Sequence, residues 1–424
     1  MRLRLDRTDG ERNGSRRMNG RTAPARLIWA LGATQIIGYG SLYYSFSILA
    51  PDMAREFSIP VDRLFGLLSA ALLVAGLLAP KAGRWADRYG AGRLMVPGSL
   101  AAGLSLAVAA AAPSVVVFGA ALIAMEVSST FVLYSSAFAA IVQTGAANAQ
   151  KSITHLTLIA GFASTLFWPL TATLHQHLDW RAIYLIFALL NILVCLPVHR
   201  WAGRLPHFMP DTAVPDERPS APDLTPSRTT PADGIFILML AAFTIEGLVL
   251  ASILVHMVPL MTVLGVGSAG LMVSALFGPS QVASRLLNMI FGGRLSQTTL
   301  AVISAGLLVA ALAVLVATNA WLPGLVVFAI LFGLGSGLAS IVGGTLPLEL
   351  FGRNGYGARL GWVTAARQFS SALAPFAFAM ILTSWGVPAA LTLGVVMGTV
   401  AVTLFGAIVV LRRRSPGSGD SVAH

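Results

Sequence analysis

The feature that most constrains this chain is a series of long apolar stretches that recur along almost its whole length. A helix needs about 20 apolar residues to cross a bilayer, because it rises about 1.5 Å per residue. Only 11% of the residues are charged, against about 25% in soluble chains. The sequence therefore predicts an all-α polytopic membrane protein. The twelve predicted spans are 27–50, 64–82, 94–112, 114–142, 151–176, 181–199, 234–262, 268–291, 299–317, 321–344, 359–383 and 387–411.

The distribution of positive charge predicts how these spans are oriented. Of the 28 lysines and arginines, 23 fall in the tails and the even-numbered loops. Only Arg55, Arg63 and Arg181 fall on the opposite side. The positive-inside rule places both termini in the cytoplasm, and we expect a multi-pass protein of the inner (plasma) membrane. The net charge of +11 is then a signal of topology, so nucleic acid is not expected as a partner.

A change of composition divides the spans into two sets of six. Residues 200–233 contain seven prolines and five acidic residues, which is typical of a flexible linker. We therefore predict a six-helix bundle over 27–199, a cytoplasmic linker over 200–233 and a second bundle over 234–411. Residues 1–26, with eight arginines, and 412–424 are expected to be cytoplasmic tails. Met18 is an alternative start of the chain.

The stretch between the second and third spans carries a recognisable motif. It reads Gly83-Arg84-Trp85-Ala86-Asp87-Arg88-Tyr89-Gly90-Ala91-Gly92-Arg93. This resembles the signature of the major facilitator superfamily, which has a glycine, then Asp-Arg, then a glycine and a basic residue. The resemblance implies two pseudo-symmetric six-helix bundles that work by alternating access. It also implies that Asp87 docks against the start of the eleventh helix, where Arg359 adds positive charge. The residues expected to gate the conformational change are Gly83, Asp87, Arg88, Gly90, Arg93 and Arg359.

Four charged side chains interrupt the predicted spans, namely Glu126, Glu246, Arg285 and Arg367. A charge at mid-membrane costs about 2.5–3.5 kcal/mol, so each is a candidate functional residue, although two structural ion pairs would also account for them. Polar side chains at helical spacing on several spans predict a shared aqueous cavity. Further candidates for substrate binding are Gln35, Tyr39, Tyr43, Tyr134, His256, Gln281 and Asn288.

The stretch from Gly278 to Arg285 resembles the eighth helix of monocarboxylate transporters, in which an Asp-x-x-x-Arg pair meets the substrate carboxylate. Gln281 stands in place of that aspartate. Oxalate–formate exchangers are similar in using basic residues on helices 8 and 11, where Arg285 and Arg367 lie. These resemblances imply secondary transport of a small organic anion, either by exchange or coupled to protons. A buried carboxyl group can exchange a proton near neutral pH, so Glu126 or Glu246 is the expected proton carrier.

Other functions stay open at this point. The stretches Gln35–Tyr44 and Gly278–Arg285 look similar to bacterial arsenite-exporting facilitators, which implies efflux of arsenite or another toxic compound. The lone cysteine, Cys195, argues against thiol coordination of arsenic. A transporter-like sensor or a membrane enzyme is the alternative of another class. Neither clustered metal ligands nor a nucleophile with its base is present, so no enzyme activity, metal or cofactor is expected. We expect a monomer in the bilayer that binds a small-molecule substrate.

Overall fold

The structure is a computed structural model, and it describes residues 23–206, 231–266, 270, 272–273, 275–292, 295–318 and 320–414. The arginine-rich tail up to residue 22, the central part of the predicted linker (207–230) and the tail from residue 415 lie outside the described residues. The expectations for those three segments are therefore not addressed by the fold.

The first half of the chain forms six helices. The first, α1, has three parts: an α-helix over Ala25–Tyr39, a π-helical turn over Gly40–Tyr44 and a second α-helix over Ser45–Glu56. A π turn holds one more residue than an α turn and is often found at functional sites. A second π turn, Asn191–Cys195, lies within α6, and Asn191 Nδ2 donates to Ser41 Oγ at 3.0 Å. The other helices are α2 (Val61–Tyr89), α3 (Ala91–Ala110), α4 (Val115–Gln143), α5 (Ala149–His175) and α6 (Trp180–Ala202).

The second half forms six further helices. Gly386 has φ 83° and ψ 173°, which interrupts one long helical run and separates its last two helices. Glycine suits this position because side chains disfavour positive φ. The helices are α7 (Pro231–Val263), α8 (Phe277–Phe291), α9 (Gln297–Thr318), α10 (Leu322–Phe351), α11 (356–385) and α12 (387–414).

Nine helical runs in the described residues are long and apolar enough to cross a membrane, and one of them contains both α11 and α12. α1 is not among the nine, and neither is α8, whose described part has only 15 residues. Over the residues that the structure describes, the architecture is the predicted all-α one, with twelve helices in two halves.

Several predicted boundaries were wrong by a few residues. α1 begins at Ala25, α6 continues to Ala202 and α12 to Arg414, while α7 already begins at Pro231. These helices therefore extend past the predicted boundaries of the spans. Hydropathy detects only the apolar part of a helix, whereas the helix itself continues through the charged residues at its ends.

The largest correction concerns the sequence motif after α2. Residues 83–89 are not a loop but the last turns of α2, which ends at Tyr89. The connection to α3 is Gly90 alone, with φ 91° and ψ 124°. Gly92 lies inside α3.

The fourth span is also not the continuous helix that was predicted. Leu133 has φ −85° and ψ −163°, which breaks α4 into Val115–Val132 and Tyr134–Gln143. Side chains satisfy carbonyls at the break, because Ser136 Oγ donates to Thr130 O and Gln35 Nε2 donates to Val132 O. Glu126 and Tyr134 therefore lie on different helical segments and do not share one helical stripe.

We call the end of the molecule at which α1 begins and α12 ends the terminal end, and the opposite end the distal end. Among the described residues, one hydrophobic cluster contains side chains of both halves, and it lies at the terminal end. There Phe138 and Ile153 pack with Leu348, Tyr356 and Leu360. The cluster that contains the distal part of α1 belongs to the first half only. The two halves are thus joined at the terminal end.

Candidate functional site

Arg285 on α8 lies at the contact between the two halves. Its side chain is buried, with 3% exposure. Nη1 donates to Thr157 O of α5 at 3.2 Å, and Nη2 donates to Ser340 Oγ of α10 at 3.1 Å. Nε is buried and has no hydrogen-bond partner within the described chain. The guanidinium group therefore keeps donor capacity that the described protein groups do not use.

Arg367 on α11 is half-buried and less firmly held. Its Nη1 donates to Ala339 O of α10 at a long 3.4 Å. The charge of Arg367 interacts electrostatically with Tyr39, Tyr43 and Tyr134 of the first half. The charge of Arg285 also reaches Tyr134. The two arginines, both predicted as binding residues, therefore have one predicted tyrosine, Tyr134, as a common neighbour.

These aromatic residues form a continuous wall on the first half. Tyr134 lies 4.7 Å from Tyr39 between ring centroids, and Tyr44 lies 5.3 Å from Tyr43 and 5.8 Å from Trp168. Sequence reasoning did not assign Tyr44 or Trp168 to the site. The π turn brings Tyr44 within 6.4 Å of Tyr39, because a π turn places residues five apart on one face. An α-helical reading of the sequence cannot detect that placement.

The predicted polar residues divide into two groups. Gln281 lies one turn from Arg285 and donates to Ser336 Oγ at 2.9 Å, so it belongs to the same α8–α10 contact. The other three, Gln35, His256 and Asn288, have no hydrogen bond to this contact in the described chain. Gln35 is fully buried and donates to Val132 O at 2.8 Å, leaving Oε1 without a described partner. His256 packs on Phe378 at 4.9 Å, and Asn288 Oδ1 is buried without a described partner.

The two intramembrane carboxyl groups have different surroundings. Glu126 has 4% exposure, and its Oε1 is buried without a hydrogen-bond partner in the described residues. Glu246, equally buried, accepts a hydrogen bond from Ser304 Oγ at 2.8 Å. None of the ion pairs found within 4 Å in the described chain includes either carboxyl group or either arginine. The two structural ion pairs considered from the sequence are therefore not present in this conformation.

Asp87 joins the halves at the terminal end. Its Oδ1 accepts from Gly357 N and its Oδ2 from Ala358 N, both at 2.8 Å. These are N–H groups of the first turn of α11, where the helix dipole favours an anion. The approach is close, because a Cβ at Gly83 would lie 2.1 Å from Gly357 O. Asp87 thus docks against the start of α11, as the resemblance implied, and Gly83 lies at the same contact.

The other motif residues have different contacts. Arg359 does not bond to Asp87: its Nη1 donates to Asn354 O at 2.5 Å and to Phe351 O at 3.3 Å, so its charge acts on Asp87 only at a distance. Arg88 lies over the Tyr89 ring at 5.4 Å, and Arg93 is exposed.

A second bond between the halves at this end was not predicted. Arg353 Nη2 donates to Ala146 O at 2.6 Å. Arg353 lies in the glycine-rich stretch after α10. Its acceptor is a backbone carbonyl, which has no signal in the sequence.

The described residues offer no group of three or more His, Cys, Asp or Glu side chains that could hold a metal ion. Cys195 is buried within α6, with 2% exposure. The chemistry of the site therefore rests on two guanidinium groups, a wall of aromatic side chains and two carboxyl groups.

Comparison with known proteins adds to this geometry. A family model described as Major Facilitator Superfamily matches residues 31–301. The human organic anion transporter MFSD10 (TETRAN) has a similar structure, with a TM-score of 0.63 and 16% identity over 90% of this chain and 98% of that one. The proton:xylose symporter XylE, bound to 6-bromo-6-deoxy-D-glucose, has a TM-score of 0.67 and 14% identity over 90% of this chain and 96% of that one. The transporter FucP, in the outward conformation, has a TM-score of 0.66 and 10% identity over 92% of this chain and 99% of that one. No curated protein sequence matched. At these identities the structural likeness shows the fold alone.

Proposed function

Because this chain belongs to the major facilitator superfamily, it is a multi-pass membrane transporter rather than an enzyme, and we propose that it carries a small organic anion of the carboxylate class. The observation that supports this most is the pair of guanidinium groups of Arg285 and Arg367. Neither has a carboxylate of the described chain within 4 Å. Both lie near the same tyrosine, Tyr134.

The energetics of burial support an anionic ligand. An ion that is removed from water without a counter-ion costs several kcal/mol even after relaxation. Arg285 meets only a carbonyl and a hydroxyl group, and its Nε has no described partner. A carboxylate could accept two parallel hydrogen bonds from such a fork. The hydroxyl groups of the neighbouring tyrosines could donate further hydrogen bonds to the same anion.

The direction of access follows from the orientation that we propose. The positive charges indicate that both termini lie on the cytoplasmic side of the inner membrane. The joined terminal end then faces the cytoplasm. The site would then be reached from the distal, outer side. The likeness to FucP in its outward conformation agrees with this arrangement. The name of MFSD10, an organic anion transporter, agrees with the substrate class.

We further propose that transport is coupled to protons, with exchange as the alternative. Glu126 is the better candidate for the proton carrier, because a buried carboxylate with no partner is costly in its ionised form. Its Oε1 has no described partner, whereas Glu246 Oε1 is bonded to Ser304. Glu126 and Arg367 also lie near the same side chain, that of Tyr43. A proton on Glu126 could therefore influence the proposed anion site.

The test is uptake of radiolabelled oxalate, L-lactate and arsenite into proteoliposomes by the wild type, Arg285→Gln and Arg367→Gln. Loss of one or two charge-assisted hydrogen bonds, at about 1.5–3 kcal/mol each, should raise the half-saturating anion concentration by about tenfold or more. Arg63→Gln is the matched control, because Arg63 is exposed at the distal end of α2. Unchanged anion transport in both variants, or transport of arsenite alone, would contradict the proposal.

A further inference from the structure

Two buried glycines lie directly beneath the two guanidinium groups. A Cβ at Gly161, on α5, would lie 2.2 Å from Nη1 of Arg285. A Cβ at Gly343, on α10, would lie 2.6 Å from Nη1 of Arg367. Real Cβ atoms essentially never approach another heavy atom closer than 3.0 Å. A methyl group at either position must therefore displace the guanidinium group above it.

Backbone conformation does not explain these glycines. Gly161 has φ −59° and ψ −22°, in the ordinary right-handed region. Gly343 lies within α10, and neither residue is among the positive-φ glycines. Alanine adopts these conformations freely and favours helices more than glycine does. What glycine offers at both positions is the space left by its missing side chain, and an arginine head group fills that space.

From this geometry we propose that Gly161 and Gly343 are positioning residues, which hold the guanidinium groups of Arg285 and Arg367 in the geometry that binds the anion. The proposal rests on the anion-transport function proposed above. At Gly161, the seated guanidinium group reaches Thr157 O one turn earlier on α5 and Ser340 Oγ on α10. At Gly343, it reaches Ala339 O one turn earlier on α10. In both cases the glycine and the bonded carbonyl lie one turn apart on the same helix.

The two positions differ in one respect that has a functional consequence. Gly343 and Arg367 belong to the same half, so they move together when the halves move. Gly161 belongs to the first half and Arg285 to the second, so their contact exists only while α5 and α8 are together. Displacing Arg285 should therefore weaken both anion binding and the contact between the halves, whereas displacing Arg367 should weaken binding alone.

The first experiment needs no knowledge of the substrate. Purified Gly161→Ala and Gly343→Ala proteins are treated with phenylglyoxal, which reacts with guanidinium groups, and modification of each arginine is followed by mass spectrometry. Gly161→Ala should raise the rate at Arg285 severalfold and leave Arg367 unchanged, and Gly343→Ala should do the reverse. Gly119→Ala is the matched control, because a Cβ at this buried glycine would make only ordinary contacts, the nearest at 3.6 Å. Wild-type rates at both arginines in both variants would overturn the proposal.

Failure to fold is handled by a second variant. If the clash with the guanidinium group is what unfolds Gly161→Ala, then the double variant Gly161→Ala/Arg285→Gln should fold again. A double variant that also fails to fold would overturn the proposal, because the glycine would then serve some other contact.

The second experiment separates this proposal from the proposed function. Transport of oxalate and L-lactate is measured in the same alanine variants. The half-saturating concentration should rise about tenfold in both, the effect of losing one charge-assisted hydrogen bond, while Gly119→Ala is unchanged. Displaced guanidinium groups with an unchanged half-saturating concentration would overturn the positioning role. Loss of the anion function itself would instead appear as unchanged transport in Arg285→Gln and Arg367→Gln.

Discussion

Replacing Asp87 with asparagine should destabilise the joined terminal end of the transporter. In the wild type, each carboxylate oxygen accepts a hydrogen bond of 2.8 Å from the first turn of α11, on Gly357 N and Ala358 N. Asparagine keeps one acceptor oxygen and replaces the other with an NH₂ group. That group cannot accept a hydrogen bond, so one backbone N–H loses its partner. The favourable interaction of the carboxylate charge with the helix N-terminus is lost as well.

The size of the effect follows from these contacts. A hydrogen bond to a charged group contributes about 1.5–3 kcal/mol, and the helix terminus adds about 0.3–1 kcal/mol for an anion. Asp87 is only partly buried, so solvent screening favours the lower part of this range. We therefore expect the joined state to lose about 2 kcal/mol, which is roughly a 30-fold change in the equilibrium between the joined and separated states.

Pulsed electron paramagnetic resonance can measure this shift directly. Spin labels are attached to cysteines introduced at Arg84 of α2 and Asn354 before α11, both exposed at the terminal end. The native Cys195 is buried and is the only other cysteine. Asp87→Asn should add a population at longer distance that the wild type lacks. Asp62→Asn, an exposed carboxylate at the other end of the same helix, is the matched control. A distance distribution identical to that of the wild type would refute the reasoning.

Two further predictions concern carboxylates elsewhere in the protein. Glu126→Gln should transport the anion without acceleration by a proton gradient, because an amide cannot take up and release the proton; acceleration equal to that of the wild type in proteoliposomes would assign Glu126 to structure. Glu349→Gln should lower the thermal unfolding midpoint by a few degrees, because Glu349 accepts from Gln297 N and Thr298 Oγ1 and pairs with Arg412, together worth about 1–3 kcal/mol. Arg412→Gln should have a smaller effect, since Arg412 has 47% exposure, and the reverse order of the two midpoints would contradict this assignment.

The number and type of helices could be predicted because each buries an apolar length set by the bilayer. Their ends could not, since charged residues continue a helix beyond the hydrocarbon. Residues 83–89 show this most clearly: they lie beyond the predicted second span, which ends at residue 82, yet they continue α2. In that helix Gly83 and Asp87 lie one turn apart and both face the start of α11.

The site could be predicted only in part. A charged residue within an apolar span is costly, so the sequence alone marks four candidates: Arg285, Arg367, Glu126 and Glu246. The partners of the arginines could not be predicted, because Thr157 and Ala339 accept through backbone carbonyls. Any residue type can offer a carbonyl, so such a contact leaves no pattern in the sequence. The π turn in α1 and the break at Leu133 changed which side chains share a face, and neither is marked by proline at the point of irregularity.

The contacts between the two halves suggest how binding and movement are linked under the proposed function. Three side chains form hydrogen bonds across the two halves. Asp87 accepts from the start of α11, Arg353 donates to Ala146 O, and Arg285 donates to Thr157 O. Of these three, only Arg285 also belongs to the proposed anion site. A carboxylate that takes the donors of Arg285 competes with the Thr157 carbonyl for them. Removing that one bond would shift the equilibrium toward separated halves by about tenfold or more, whereas Asp87 and Arg353 would still hold the end together. Anion binding would therefore favour separation of the halves. The bonds of Asp87 and Arg353 would determine how far the equilibrium shifts.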